Sequence, residues 1–230
     1  MRAAVYCGTR NLYPDMMTAA KSLAYNSSVD AIYFLIEDPV FPYKLPNYIK
    51  PINVSGQKFF GSRCPNSYRL WTWMVLMRAV LAKVFPNQNE ILSLDVDTII
   101  DRNIDELWDL DLTNYYLAGV LEPKKSKTYA PYVNMGSVMF NLEKLREDQM
   151  DDKIISSLNH TKYTFAEQDC INALCNKQFL TLPSIYNAND FTEPCKDPKI
   201  IHFACNKKYN QTPLFNKYKV MAWDEVRRTV

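Results

Sequence analysis

The sequence predicts an α/β fold, a single domain over residues 1–230 with helices flanking a mostly parallel open sheet. Strand-like apolar runs alternate with helically patterned segments through the first hundred residues, which is typical of βαβ organisation. The 230 residues are 47% hydrophobic, enough for a full core. No internal repeat or low-complexity linker divides the chain, so we expect one domain.

The first half alternates strands and helices. Residues 3–9 form a predicted buried strand, and residues 14–26 have helical apolar spacing with Pro14 in the first turn. Residues 67–85 predict a long apolar helix that Pro86 stops. The other strands predicted in this half are 30–37, 50–55 and 90–95.

The second half is less regular, and its predicted elements are shorter. We predict strands at 116–122, 134–142, 178–182 and 200–204, and helices at 142–158 and 166–175. In open α/β sheets ligands bind beyond the carboxyl ends of the strands. The strand at 90–95 ends in two acids at such a position.

Composition narrows the function classes. The formal net charge of +2 argues against a nucleic-acid binder, which usually has a large basic excess. No apolar run is long enough to span a bilayer, and the chain begins without a signal peptide's pattern. We therefore expect a cytoplasmic protein. The alternative, which several N-x-S/T triplets leave open, is a catalytic domain cut from a longer secretory-pathway protein.

The six cysteines contain no CxxC pair and are interpreted as reduced packing thiols.

The two acids are Asp95 and Asp97, in LSLDVDTII. On an extended backbone their side chains would point the same way, and two like charges so close need a cation. Hard oxygen ligands suit Mg²⁺ or Mn²⁺, whereas the alternative is two solvated acids at a strand end. His202 ends an apolar strand and is either a satisfied core histidine or a further Mn²⁺ ligand. Lys208, six residues on, could reach a phosphate as a point charge.

Six segments, in order along the chain, resemble glycosyltransferase family 8, which includes glycogenin and bacterial galactosyltransferases. They are TRNLYPDMMTAAKSL, LSLDVDTIIDRNIDELWDLDL, YVNMGSVMFNL, EQDCINAL, LPSIYNA and IIHFACNKKYN. The resemblance implies a GT-A fold, with a Rossmann-like, mostly parallel sheet and a small additional antiparallel sheet. It also implies that residues 1–100 bind the nucleotide and residues 101–230 the donor sugar and acceptor.

The activity implied is retaining transfer of a hexose from a UDP-sugar, such as UDP-glucose or UDP-galactose, with Mn²⁺ or Mg²⁺. The acceptor (a glycan, glycoprotein or glycolipid) and the oligomeric state stay open. By the same resemblance the metal ligands are Asp95, Asp97 and His202, with Asp95 also near the ribose. The other implied donor contacts are Thr9 and Tyr13 at the uracil, with the Tyr13 ring stacking; Arg78 and Lys208 at the diphosphate; and Glu122, Asn134, Glu167 and Gln168 around the sugar.

The resemblance also suggests catalytic residues. Gln168 or the neighbouring Glu167 would offset positive charge at the anomeric carbon. Asp169 is the carboxylate to test as a nucleophile if a double displacement operates, although it is equally suited to capping the helix that follows. A front-face route would need no nucleophile.

Several residues depart from the family pattern. Thr9 stands where many relatives have Asp, and Glu167 is one methylene longer than the usual Asp. Cys205 replaces a glycine, which raises a question about the backbone there. Tyr209 begins the pair that replaces Pro-Trp after Lys208.

Two alternative functions stay open. One is another metal-dependent nucleotide-sugar enzyme such as a nucleotidyltransferase, although the N-terminus lacks the Gly-rich phosphate loop of that class. The other is a sugar-nucleotide-binding module without transferase activity.

Overall fold

A seven-stranded sheet lies at the centre of the computed structural model, which describes residues 1–67, 72–126 and 131–226. The strands are β1 Ala3–Gly8, β2 Ala31–Ile36, β3 Ile49–Asn53, β4 Glu90–Leu94, β5 Thr98–Ile100, β6 Leu117–Leu121, β7 Val133–Asn141, β8 Phe179–Thr181 and β9 Ile200–His202. The central order is β3-β2-β1-β4-β7-β6-β8, while β5 and β9 form a small antiparallel sheet. This confirms the predicted fold class.

Strand β7 runs against the other six strands of the central sheet. It pairs antiparallel with both β4 and β6, whereas the remaining neighbours are parallel. Leu94, at the end of β4, faces Ser137, and Leu121, at the end of β6, faces Val133 at the start of β7. One edge of the sheet therefore collects the carboxyl ends of β1, β4 and β6 together with the beginning of β7.

Helices cover both faces of this sheet. Within the described ranges they are α1 Tyr13–Asn26, α2 Leu81–Val84, α3 Pro123–Ser126, α4 Leu142–Glu147, α5 Met150–His160, α6 Ala166–Leu174, α7 Pro213–Lys219 and α8 Trp223–Val226. Short 3₁₀ helices occur at Arg10–Leu12, Trp73–Val80, Asp105–Asp109, Ser184–Tyr186 and Tyr209–Gln211. Of the described helices, none combines the length and apolar character needed to cross a bilayer.

The core forms two layers because neighbouring strand residues point to opposite faces. In β1, Val5 belongs to the cluster beneath the Trp73–Val80 helix and α4–α6. The next residue, Tyr6, belongs to the cluster beneath α1. Strands buried on both faces are continuously apolar, which is why β1 and β2 were recognisable from sequence.

Two helix predictions were wrong in detail. The helix expected over 67–85 is a 3₁₀ helix, Trp73–Val80, followed by the single turn of α2; residues 68–71 lie outside the described residues. Buried side chains at three-residue spacing, Met74, Met77 and Val80, suit 3₁₀ winding. The helix expected over 142–158 is divided into α4 and α5 because Gln149 adopts a left-handed backbone with φ of 54°.

Candidate active site

Asp95, Asp97 and His202 meet at the edge where β4 ends. Asp95 follows β4, Asp97 precedes β5, and His202 ends β9, in register with Thr98 of β5. His202 Nε2 lies 3.4 Å from Asp97 Oδ1 and 3.6 Å from Asp95 Oδ2. One ligand atom from each residue can be chosen so that all lie within 4.8 Å of one another. Two carboxylates and one imidazole form a donor set that fits Mn²⁺, and also Mg²⁺ if water completes the shell.

The two aspartates converge by a turn, not by the extended backbone expected from sequence. The Thr98 backbone N–H and hydroxyl both donate to the Asp95 carbonyl, at 3.2 Å and 2.7 Å. The bond from the Asp95 N–H to the Gly136 carbonyl, at 2.9 Å, ties the turn to β7. The turn aims both carboxylates at His202.

Electrostatics keep this cluster charged. Burial alone raises the pKa of Asp97, but its bond to His202 more than offsets this and holds its pKa below the usual range. Burial lowers the pKa of His202, yet Asp97 and Asp95 raise it above its ordinary value. The pair therefore favours an ionised carboxylate beside a protonated imidazole, and the imidazole would release its Nε2 proton on binding a cation.

The His202 ring packs directly on the backbone of Gly136. A Cβ at Gly136 would lie 2.1 Å from His202 Cε1 and 2.2 Å from Nδ1, well inside van der Waals contact. Gly136 is within β7 and His202 ends β9, so neither backbone yields easily. A glycine is required here by the ring and not by backbone conformation.

Gly136→Ala is expected to displace the His202 ring. The overlap should cost about 1–3 kcal/mol of folding free energy, the usual range for overpacking, and should weaken Mn²⁺ binding as the ring moves. Urea unfolding and a Mn²⁺ titration measure the two effects. Gly56→Ala, where an added Cβ meets nothing within 4 Å, is the matched control. Unchanged Mn²⁺ affinity in Gly136→Ala would contradict the packing argument.

Arg78 lies between two carboxylates. It is buried, donates to Asp95 Oδ1 and to Glu167 Oε1 at 2.8 Å, and its Nε donates to Ser93 Oγ at 3.3 Å. The resemblance predicts Arg78 as a contact at the diphosphate, and its burial excludes an ordinary exposed surface charge. The guanidinium places a fixed positive charge beside the Asp95–Asp97–His202 cluster.

Glu167 is almost completely buried, with 2% of its surface exposed. Burial raises its pKa to about 7, although Arg78 pulls in the opposite direction. The preceding residue, Ala166, has a left-handed backbone with φ of 44°, a strained conformation for a residue with a Cβ. Strain of this kind often accumulates at functional sites.

Glu167→Gln is expected to change how stability depends on pH. Because the pKa of Glu167 rises from 4.5 to about 7 on folding, its proton stabilises the fold fully below pH 4.5, and this contribution is lost as pH rises through 7. The difference is about 1.4 kcal/mol per unit of pKa shift. Unfolding of both proteins at pH 5 and pH 8 should therefore show the variant gaining relative to wild type at pH 8. Glu147→Gln, at an exposed position, is the control; parallel pH curves for Glu167→Gln and wild type would contradict the assignment.

A cluster of polar side chains lies between β6, β7 and α6. Glu122 Oε1 accepts from Asn134 Nδ2 at 2.6 Å and from Gln168 Nε2 at 3.3 Å. Gln168 Oε1 accepts from the Met135 N–H at 3.0 Å. Three of the four residues predicted around a donor sugar thus form one hydrogen-bonded network, whereas the fourth, Glu167, pairs with Arg78 instead.

Asp169 has both carboxylate oxygens engaged. Oδ1 accepts from the Tyr132 hydroxyl, and Oδ2 accepts from the Phe165 N–H at 2.9 Å, across the first turn of α6. This arrangement favours the capping alternative over a role as nucleophile.

Tyr13, predicted to stack on uracil, is fully buried. Its hydroxyl donates to Asp38 Oδ2 at 2.9 Å, and its ring lies 4.9 Å from that of Phe41. A base would stack on Tyr13 only after movement of the chain around Phe41. Thr9, next to the end of β1, is partly exposed and donates to Asn11 Oδ1 at 2.5 Å.

Lys208 is exposed on the loop after β9 and forms no ion pair with any residue in the described ranges. The next residue, Tyr209, anchors this loop by donating to Asp15 Oδ2 at 2.5 Å. Cys205, which replaces a glycine, has a φ of 63° and so takes the left-handed backbone that glycine favours. The substitution therefore keeps the loop geometry, at an energetic cost.

The family of the chain follows from comparison with known proteins. The family model described as glycosyl transferase family 8 matches residues 4–209. This chain belongs to glycosyltransferase family 8.

Several proteins similar to this family 8 chain are bacterial glycosyltransferases. Glycosyltransferase GlyA of Streptococcus pneumoniae is 24% identical over 96% of this chain and 34% of its own length. The structure of S. pneumoniae GlyE has a TM-score of 0.72 at 23% identity, covering 98% of this chain and 62% of GlyE. That of the galactosyltransferase LgtC, solved with donor and acceptor sugar analogs, has a TM-score of 0.74 at 16% identity, covering 98% and 99%. These likenesses show the GT-A fold; the chain spans about a third of the length of GlyA.

Two residues beside this family 8 site were not assigned from sequence. Ser93 contacts Arg78, and Asn187 contacts His202 Nδ1 at 3.0 Å. Asn187 belongs to the LPSIYNA segment, which carried part of the family resemblance. The sequence therefore marked this segment as part of the family pattern but did not indicate that Asn187 contacts His202.

Proposed function

We propose that this chain is the catalytic domain of a metal-dependent transferase that moves a hexose from a UDP-sugar to an acceptor with retention of configuration. The observation that carries the proposal is the convergence of Asp95, Asp97 and His202 beside Arg78 at one edge of a GT-A sheet. Family membership supports glycosyl transfer.

The cluster would hold Mn²⁺ or Mg²⁺ through two carboxylate oxygens and His202 Nε2. When bound, the ion supplies positive charge to the diphosphate leaving group. Arg78 contributes a second, preorganised positive charge whose position is fixed by Glu167. Lys208, exposed and without an ion pair to a described residue, is available for a phosphate.

The polar network of Glu122, Asn134 and Gln168 is the proposed surface for the donor sugar. Its amides and carboxylate provide the donors and acceptors that hydroxyl groups need. Because both oxygens of Asp169 are engaged, the network favours a front-face route in which Gln168 stabilises the charge developing at the anomeric carbon.

A screen of nucleotide sugars tests this function. Incubated with Mn²⁺, the protein should slowly hydrolyse one UDP-hexose in the absence of acceptor, and a chelator should stop the reaction. Binding without turnover would indicate a sugar-nucleotide-binding module instead. Failure to bind or turn over any nucleotide sugar, with Mn²⁺ or Mg²⁺, would overturn the proposal.

A further inference from the structure

We propose that Tyr209 and Asp15 are positioning residues that hold Lys208 where it can bind the diphosphate of the donor. This rests on the donor site of the proposed function. The Tyr209 hydroxyl donates to Asp15 Oδ2 at 2.5 Å, a bond between a loop and a helix that lie far apart in the chain. Lys208 directly precedes Tyr209, so the bond acts one residue away from the proposed phosphate contact.

The loop that carries Lys208 begins at the metal cluster. It follows β9, and the Phe203 N–H donates to the Asp97 carbonyl at 3.0 Å. Two residues further on, Cys205 has a left-handed backbone with φ of 63°, a strained conformation for a residue with a Cβ. Because strained backbone persists only where surrounding contacts hold it, the far end of the loop needs a fixing point of its own.

Tyr209 provides this fixing point through three contacts. Its backbone carbonyl accepts from the N–H and the hydroxyl of Thr212, at 3.1 Å and 2.8 Å. Its ring packs on that of Phe215, with the ring centroids 5.2 Å apart. These two contacts join the loop to α7, which follows it in the chain, whereas the hydroxyl joins it to Asp15 of α1.

Asp15 places the other end of this bond beside the predicted nucleotide-binding turn. It is 7% exposed and lies in the first turn of α1, six residues after Thr9. Burial raises the pKa of the Tyr209 hydroxyl, and the bond to Asp15 raises it further, so the phenol keeps the proton that it donates. The loop therefore connects the metal cluster at one end with the helix that follows Thr9 at the other.

The backbone of Lys208 is ordered between these two ends. Its N–H donates to Asn206 Oδ1 at 3.0 Å, and its carbonyl accepts from the Gln211 N–H at 2.9 Å. The Tyr209 N–H donates to the Asn206 carbonyl at 3.1 Å, a bond that the proline of the family pattern could not make. The Lys208 side chain is exposed. Holding its backbone removes part of the ordering cost that phosphate binding would otherwise include.

The test uses Tyr209→Phe, which removes the hydroxyl and keeps the ring on Phe215. Titrations with Mn²⁺ present measure the affinities for UDP and for uridine, which lacks the diphosphate. UDP affinity should fall about 3–10-fold, the scale of one hydrogen bond that no longer favours the closed loop, and uridine affinity should be unchanged. In a Lys208→Met background, Tyr209→Phe should have no further effect on UDP affinity, because the two residues act as one unit.

Tyr116→Phe is the matched control. The Tyr116 hydroxyl donates to Asp148 Oδ2 at 2.8 Å, the same kind of tyrosine–aspartate bond, and Tyr116 directly precedes β6 at the opposite edge of the sheet. Its loss should destabilise the fold and leave UDP affinity unchanged. Asp15→Ala, which removes the acceptor and leaves Tyr209 in place, should have the same effect on UDP as Tyr209→Phe. It provides the test if Tyr209→Phe does not fold.

Amide hydrogen exchange reports the state of the loop without any ligand. The N–H groups of residues 209 and 211 donate to carbonyls within the loop and should exchange about 3–10-fold faster in Tyr209→Phe than in wild type. Unchanged exchange at both groups would overturn the inference. So would an equal loss of UDP and uridine affinity, or a further loss of UDP affinity in the Lys208→Met background.

Absence of UDP binding by the wild type would overturn the proposed function and, with it, the role of Lys208. The exchange rates would still decide whether the bond between Tyr209 and Asp15 fixes the loop. The two failures are therefore distinguishable.

Discussion

Asp97→Asn is expected to lower metal-dependent turnover of a UDP-sugar by about 10²–10³-fold, the scale observed when one electrostatic contact to a developing charge is removed. The change keeps the shape of the side chain and removes its charge, which the bond to His202 maintains by holding the pKa of Asp97 low. Folding should be little affected, because Asn can still accept a hydrogen bond. His202→Ala should have a comparable effect on turnover by removing the third ligand.

Asp197→Asn is the matched control for Asp97→Asn. Asp197 pairs with Arg102 on the surface and has a left-handed φ of 52°, which asparagine tolerates well. Mn²⁺ affinity by calorimetry and UDP-sugar hydrolysis should be unchanged in this variant. If Asp97→Asn and His202→Ala both retained wild-type Mn²⁺ affinity and turnover, the cluster would not be the metal site.

Arg78→Leu is expected to destabilise the fold by about 3–5 kcal/mol at pH 8, the usual result of removing one partner from a buried ion pair. Without Arg78 the buried Glu167 must, at pH 8, either stay charged without a partner or bind a proton against the pH, and both are costly. Asp95 keeps access to solvent, with 35% of its side chain exposed. The loss should be smaller at pH 5, where Glu167 can be protonated and neutral; its pKa is already about 7 beside Arg78 and can only rise without it.

The double variant Arg78→Leu/Glu167→Gln tests the cause of this loss. Removing the stranded carboxylate should recover part of the lost stability at pH 8, which urea unfolding of all four proteins in the cycle would measure. Arg102→Leu, which breaks an exposed pair, should cost less than about 1 kcal/mol. A loss of equal size at pH 5 and pH 8, with no recovery in the double variant, would exclude the unpaired carboxylate as the cause.

Much of the fold, and the two aspartates of the metal cluster, could be predicted from local sequence. Strands β1, β2 and β4 are buried on both faces, so their apolar runs located them to within about one residue of the observed ends. Asp95 and Asp97 are two residues apart and directly follow such a strand, so their proximity needed no tertiary information. His202 needed the family resemblance, because an apolar strand ending in histidine has several explanations.

The features that were missed depend on distant partners or on very short segments. Strand β5 has three residues, too few for a period to be recognised. The break at Gln149 uses neither glycine nor proline, the residues that usually mark such turns. Asn187, which contacts His202, is held by a hydrogen bond to Asn134, a residue 53 positions away in the chain.

The reversed direction of β7 also determines where the molecule can be modified. Because β7 begins at the edge that carries the chemistry, it brings Asn134 and Gly136 to that edge, and the opposite rim is left with connecting turns. Thr113 and Asn114, exposed just before β6, lie on that rim. An affinity tag or fluorophore inserted between these two residues should leave donor turnover unchanged. This turn is therefore a suitable attachment site for immobilising the protein in acceptor screens.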